Sequence, residues 1–143
     1  MGRYPKCFPP DFETRILPKG AKKENIAVYR VIKYGTINRD GFLSTFEEVK
    51  RRLIPQGKRD MNAPGTYSTS CNIDRCDAEY ALSMFMRHHP KAFIAIGKTE
   101  ATCGPCQRTR EREPDRDTHS HVDWWIYEDA EPQKYFNEDK TDE

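Results

Sequence analysis

The stretch Ile26-Ala-Val-Tyr-Arg-Val-Ile-Lys-Tyr34 constrains the fold more than any other. It is dense in β-branched and aromatic side chains, so it predicts a strand, and Gly35 ends it. Alternate residues of a strand share a face, which puts Arg30 among Ile26, Val28, Ile32 and Tyr34. That is the more apolar face of the segment. A guanidinium there must be paired or sit in a cleft, because burying a lone charge is very costly. Arg30 reads either as a structural cation, snorkelling from an edge or paired with a buried carboxylate, or as the grip on an anionic ligand.

Two helices and further strands follow. Ser44-Thr-Phe-Glu-Glu-Val-Lys-Arg-Arg-Leu53 predicts a helix with Phe46, Val49 and Leu53 on one face. Ser44 with Glu47, or Thr45 with Glu48, can form its capping box, and Pro55 and Gly57 stop it. A second helix is expected from Asp74 to His89, with Ala78, Ala81, Leu82 and Phe85 as a narrow buried stripe, closed by Pro90. Ala92-Phe-Ile-Ala-Ile96 is continuously apolar, as a central strand covered on both sides would be. Val122-Asp-Trp-Trp-Ile-Tyr127 reads as the last strand. The expected fold is therefore α+β, a small mixed sheet with two flanking helices.

At 143 residues the chain is read as a single domain, 1–143, long enough to bury a core without staples. Residues 1–24, with four prolines, form an irregular N-terminal arm. Residues 107–120 are a charged, solvated loop, and 129–143 an acidic tail that frays. The formal net charge of +1 gives no electrostatic case for nucleic acid or an anionic membrane. No apolar run approaches membrane-spanning length, and the N-terminus lacks the apolar core of a signal peptide. Position 6 is Lys6, which breaks the myristoylation pattern. A cytoplasmic location is expected, with the five cysteines reduced or bound to metal.

Two more places can carry chemistry. Tyr67-Ser-Thr-Ser70 sets three hydroxyls beside a helix start, a corner that suits a phosphate or ribose as well as ordinary turn capping. In His121-Val-Asp-Trp-Trp-Ile-Tyr127, Asp123 shares a face with His121, Trp125 and Tyr127, and Val122, Trp124 and Ile126 share the other. Asp123 then either faces a cleft or is a buried acid that needs a partner.

An arginine on an early strand, Ser-Thr-Ser opening a later one, then a helix, a strand and a terminal strand with an acid resemble the ADP-ribosyltransferase superfamily. Val28-Tyr-Arg30, Tyr67-Ser-Thr-Ser-Cys71 and Ala78-Glu79 are similar to its Arg–Glu–Ser toxin group, which consumes NAD. Gly41-Phe-Leu-Ser-Thr45 is similar to a run of the arginine-specific transferases, with Phe46 in place of the last serine. The resemblance implies an ADP-ribosyltransferase-like fold that binds NAD, as substrate, and cleaves its nicotinamide–ribose bond, modifying a protein target or hydrolysing NAD. It places Tyr29, Arg30, Tyr67, Ser68, Thr69 and Ser70 in the NAD site, with Arg30 on the phosphates and Ser68–Ser70 shaping the nicotinamide–ribose pocket. The catalytic candidates are Asp123 and Glu128, where a carboxylate would stand beside developing positive charge. The sequence departs from the family here, which has glutamate, usually as Glu-x-Glu; Asp123 is one methylene shorter.

Two other readings compete. Trp124, Trp125 and the charged loop suit a non-catalytic interaction or inhibitor domain. Cys103-Gly-Pro-Cys106 has the spacing of half a zinc site, with Cys71 and Cys76, or His119 and His121, to complete it in a zinc-stapled module. His88 and His89, near a helix end, are read as partners of the last carbonyls.

Overall fold

The structure is a computed structural model that describes residues 2–116 and 119–140. Those parts of the expected charged loop and acidic tail at residues 117, 118 and 141–143 lie outside it. The strands are β1 (Ala27–Ile32), β2 (Thr69–Asn72), β3 (Phe93–Lys98), β4 (Cys106–Arg108), β5 (His121–Trp124) and β6 (Phe136–Glu138). The helices are α1 (Phe12–Arg15), α2 (Thr45–Lys50) and α3 (Arg75–Phe85). The α+β class read from the sequence is observed. The sheet runs β4-β5-β2-β1-β3-β6, and every pairing is antiparallel, so it is not the mixed sheet expected.

The sheet is split. β1 pairs with β3 over six positions, from Ala27↔Lys98 to Ile32↔Phe93, but with β2 only at Tyr29↔Asn72. β2 in turn pairs with β5 over four positions. The sheet thus consists of two leaves, β4-β5-β2 and β1-β3-β6, joined at one register pair and parting toward Thr69 and Ile32, where no further pair forms.

Alternation sorts the side chains. Val28 and Ile32 point to the face of Cys71, Ala95, Val122, Trp124 and Phe136, and these pack with Phe42 into the main core. The opposite face carries Val31, Ser70, Asn72, His121 and Asp123, and α3 packs across β1, β2 and β3. The register of Arg30 matches the expectation, since it is flanked by Val28 (1% exposed) and Ile32 (0%).

A second core stands apart. Phe8, Phe12, Ile16, Phe46, Tyr67 and Trp125 form it, with Phe46 stacked on Tyr67 at 4.4 Å. Half of this cluster comes from the arm expected to be irregular, where α1 presents Phe12 inward. Cys103-Gly-Pro-Cys106 has a related task. Its carbonyls accept from Trp124 Nε1 (3.1 Å), Trp125 N (2.9 Å) and Tyr127 N (2.8 Å). Gly104 has φ 141°, and a Cβ there would collide with the Trp125 carbonyl, so the turn needs glycine.

Several boundaries differ from the sequence reading. The capping box of α2 is the Ser44–Glu47 one, but the helix ends at Lys50, where Arg52 turns left-handed at φ 61° and leaves Leu53 49% exposed. α3 ends at Phe85, and of its expected stripe only Ala78 is fully buried. The last strand stops at Trp124, because the chain then turns to set Trp125 into the second core. β4 and Thr109 occupy the start of the expected solvated loop, and β6 in the expected fraying tail pairs with β3. Among the described residues no helix is long and apolar enough to cross a membrane.

Candidate functional site

Where the two leaves diverge, a cavity of about 560 Å³ opens, walled by α3 and by the segment that enters α2. Arg30, Ser68, Ser70, Asn72 and His121 line it from the sheet. Arg30 spans the split. Its Nη1 donates to the Ser70 carbonyl (2.9 Å), and its Nε and Nη2 donate to the Gly41 carbonyl (3.2 and 3.1 Å). A guanidinium has five N–H donors, so two remain. No carboxylate pairs with Arg30 among the described residues. Burial opposes its charge and lowers its pKa, outweighing Cys71, Glu48 and Tyr34, which act the other way. A half-buried cation with carbonyl partners and spare donors can take an anion.

The rest of the lining is rich in cations. Lys33, Arg59 and Arg116 join Arg30, against the acids Glu48 and Asp77. Both acids are committed. Glu48, 4% exposed, accepts from Tyr34 Oη and forms an ion pair with Lys33 Nζ, each at 2.6 Å. Asp77 accepts from Ser120 N (3.2 Å) and Oγ (2.7 Å). Two polar atoms of the lining are buried without a hydrogen-bond partner among the described residues, Asn72 Oδ1 and Arg116 Nε.

Asp123 sits behind this surface. It is 1% exposed and does not line the cavity. Its Oδ1 accepts from the Ser68 hydroxyl, and its Oδ2 from Thr109 Oγ1 and Arg112 Nη2, both at 2.8 Å. Burial raises its pKa, but coupling to His121, the Ser68 hydroxyl, Arg112 and Thr109 outweigh it and hold the carboxyl below its ordinary value. His121, beside it, has Nδ1 2.6 Å from Thr109 Oγ1 and 4.0 Å from Asp123 Oδ1. Burial lowers its pKa to about 4, so the imidazole is neutral near neutral pH.

The predicted site residues thus divide. Arg30, Ser68 and Ser70 meet at the cavity, and Ser68 links them to Asp123. Thr69 is buried and donates to the Phe42 carbonyl (2.6 Å). Tyr67 is buried in the second core, its hydroxyl on the Met61 carbonyl (2.7 Å). Tyr29 shares the face of its register partner Asn72 but does not line the cavity. Glu128 is exposed at a separate cavity of about 330 Å³, beside Arg39 and Lys50, and accepts from Lys6 N (3.1 Å). It is not part of the Arg30 site. Trp124 and Trp125, expected at an interaction surface, are both 0% exposed.

The residues considered for zinc do not gather. Cys71, Cys103 and Cys106 are buried in the main core, Cys76 is exposed, and His119 contacts Arg110. Among the described residues no group of three or more His, Cys, Asp or Glu could hold a metal ion. Sequence reasoning missed Thr109, Arg112 and Asn72. A run of alternating charge hid the first two, although Thr109 is an uncharged residue inside it.

No family model, no curated protein and no solved structure matches the chain.

Proposed function

We propose that this chain is an NAD-binding protein of ADP-ribosyltransferase type that cleaves the nicotinamide–ribose bond. The observation that carries the reading is Arg30, a half-buried guanidinium with no carboxylate partner among the described residues and with two spare donors, at the edge of a cavity of about 560 Å³. Arg30 on β1, Ser70 on β2 and Asp123 on β5 stand on strands that are neighbours in the sheet, which supports the reading. In this reading the NAD pyrophosphate lies against Arg30 with Arg59 and Arg116 nearby. The nicotinamide ribose lies against Ser68 and Ser70. Asp123 acts from one hydroxyl away, its negative charge carried to the pocket through Ser68, so that it favours the positive charge that grows on the ribose as nicotinamide leaves. The five free thiols fit a reducing compartment such as the cytoplasm.

Calorimetric titration of NAD into wild type and Arg30→Gln tests this. Binding to wild type, weakened at least about tenfold in the variant, supports it, since a charge-assisted hydrogen bond contributes about 1.5–3 kcal/mol. No binding at millimolar NAD would overturn it.

A second reading, a non-catalytic interaction domain, rests on Tyr80 and Met84, which are 65% and 62% exposed on α3 at the cavity wall. Apolar side chains so exposed suit a protein partner. If NAD does not bind, this is the reading that remains.

A further inference from the structure

The hydrogen-bond chain behind the cavity fixes where protons sit. Asp123 is ionised near neutral pH, so its oxygens can only accept. Thr109 Oγ1 must then donate its one proton to Asp123 Oδ2. The same oxygen is 2.6 Å from His121 Nδ1 and has no proton left to give, so His121 Nδ1 carries the hydrogen and donates it to Thr109. The neutral imidazole is therefore the Nδ1–H tautomer, and Nε2 bears a lone pair. No hydrogen bond involves Nε2 among the described residues, and His121 lines the cavity.

Asn72 gives an independent sign. It pairs directly with His121 across β2 and β5, is 7% exposed, lines the same cavity, and its Oδ1 has no partner among the described residues. Directly opposed side chains have Cβ atoms about 4.5–5.5 Å apart. The cavity floor thus offers two neighbouring, unused acceptors in a site whose two carboxylates, Glu48 and Asp77, are already engaged. A water molecule is the nucleophile that matches them, since it has two protons, one for each acceptor, and keeps a lone pair for attack.

We propose that His121 Nε2 and Asn72 Oδ1 hold the attacking water of an NAD hydrolysis, with His121 as its proton acceptor and Thr109 and Asp123 as positioning residues. The inference rests on the NAD reading above and makes the activity hydrolytic. The water oxygen forms a bond to C1′ of the ribose, and one of its protons passes to Nε2. The C1′–N bond breaks, its electron pair leaving with neutral nicotinamide. The imidazolium then releases its proton to solvent, so that NAD and water give ADP-ribose, nicotinamide and a proton. The charge formed on His121 is stabilised through Thr109 by Asp123.

The groups that face His121 are Asp123 on its own strand, Arg112 and Arg116 after β4, and Arg30 on β1. The carboxylate favours protonation and the three cations oppose it.

Two measurements on the intact chain test the assignment. Nitrogen-15 NMR of the wild-type imidazoles near neutral pH reads the tautomer: a protonated Nδ1 and a bare Nε2 are expected, and a protonated Nε2 would overturn the proposal. Nicotinamide release is then followed against pH without any acceptor protein. Wild type should lose activity only as His121 protonates, near pH 4. His121→Gln should be slower by about a hundredfold or more, with NAD affinity retained. Thr109→Ser should keep the wild-type profile, and Thr109→Val should not. A His121→Gln protein that releases nicotinamide like wild type would overturn the His121 assignment and leave the NAD reading intact. A wild type that neither binds NAD nor releases nicotinamide would overturn both, whichever tautomer is found.

Discussion

The Ser68 hydroxyl donates to the carboxylate of Asp123, joining residues 55 positions apart at the point where the cavity meets the buried network. Neither residue alone explains the site. Ser68 faces the cavity without charge, and Asp123 has the charge without access. Ser68→Ala should therefore slow nicotinamide release while leaving the fold intact, because Asp123 keeps Thr109 and Arg112. Asp123→Asn should slow release too, and also lower stability by about 1–3 kcal/mol, since it weakens a buried, charge-assisted network. Release assays combined with chemical denaturation of both variants check this. Equal stability of Asp123→Asn and wild type would show that Asp123 is not the structural acid described here.

Acid should unfold the protein through His121 first. Its pKa in the folded state is about 4, against an ordinary value of 6.5. As pH falls through that window the unfolded chain takes up a proton that the folded chain refuses, so stability declines. At about 1.4 kcal/mol per unit the loss is about 3–4 kcal/mol, complete below the folded value. Asp123, whose folded pKa is depressed, holds its own contribution down to that range and loses it only in stronger acid. His121→Gln should flatten the stability curve between about pH 4 and 6.5, measured as denaturation midpoints across pH.

The aromatic cluster predicts a large effect far from the cavity. Phe12 is 2% exposed and meets Phe8 at 4.8 Å and Tyr67 at 5.4 Å between ring centres. Phe12→Ala should cost about 3–5 kcal/mol, from lost burial and the hole left behind. Chemical denaturation checks it. A loss below about 1 kcal/mol would mean that the arm contributes little to the fold.

What the sequence made legible was local. The strand holding Arg30, the Ser44–Glu47 capping box and the alternation of Val122 and Trp124 against Asp123 all follow from short-range periodicity, and the structure has them. The meeting of Arg30, Ser68 and Asp123 depends on β1, β2 and β5 being neighbours, which no spacing encodes. The misses share a cause. Thr109, Arg112 and β6 lie in segments so polar that solvent exposure was the natural reading, yet each is recruited by a distant partner: Asp123 for the first two and β3 for the last. Phe8 and Phe12 were hidden in the same way among prolines, where no periodicity marks a buried face.

The thiols give the last test. Cys71 is fully buried opposite Arg30 on the core face, and burial pushes its pKa to about 12. Cys103 and Cys106 are also buried and raised by desolvation. Cys7 is exposed but raised by partial burial and by Glu47, whereas Cys76 is exposed at the first turn of α3. Because the thiolate is the reactive form, iodoacetamide should label Cys76 first, Cys7 more slowly, and the other three only on unfolding. Peptide mass mapping after timed alkylation reads the order. Early labelling of Cys103 or Cys106 would mean that the turn carrying the tryptophan hydrogen bonds opens readily. It would then be a poor anchor for β5, and with it for His121 and Asp123.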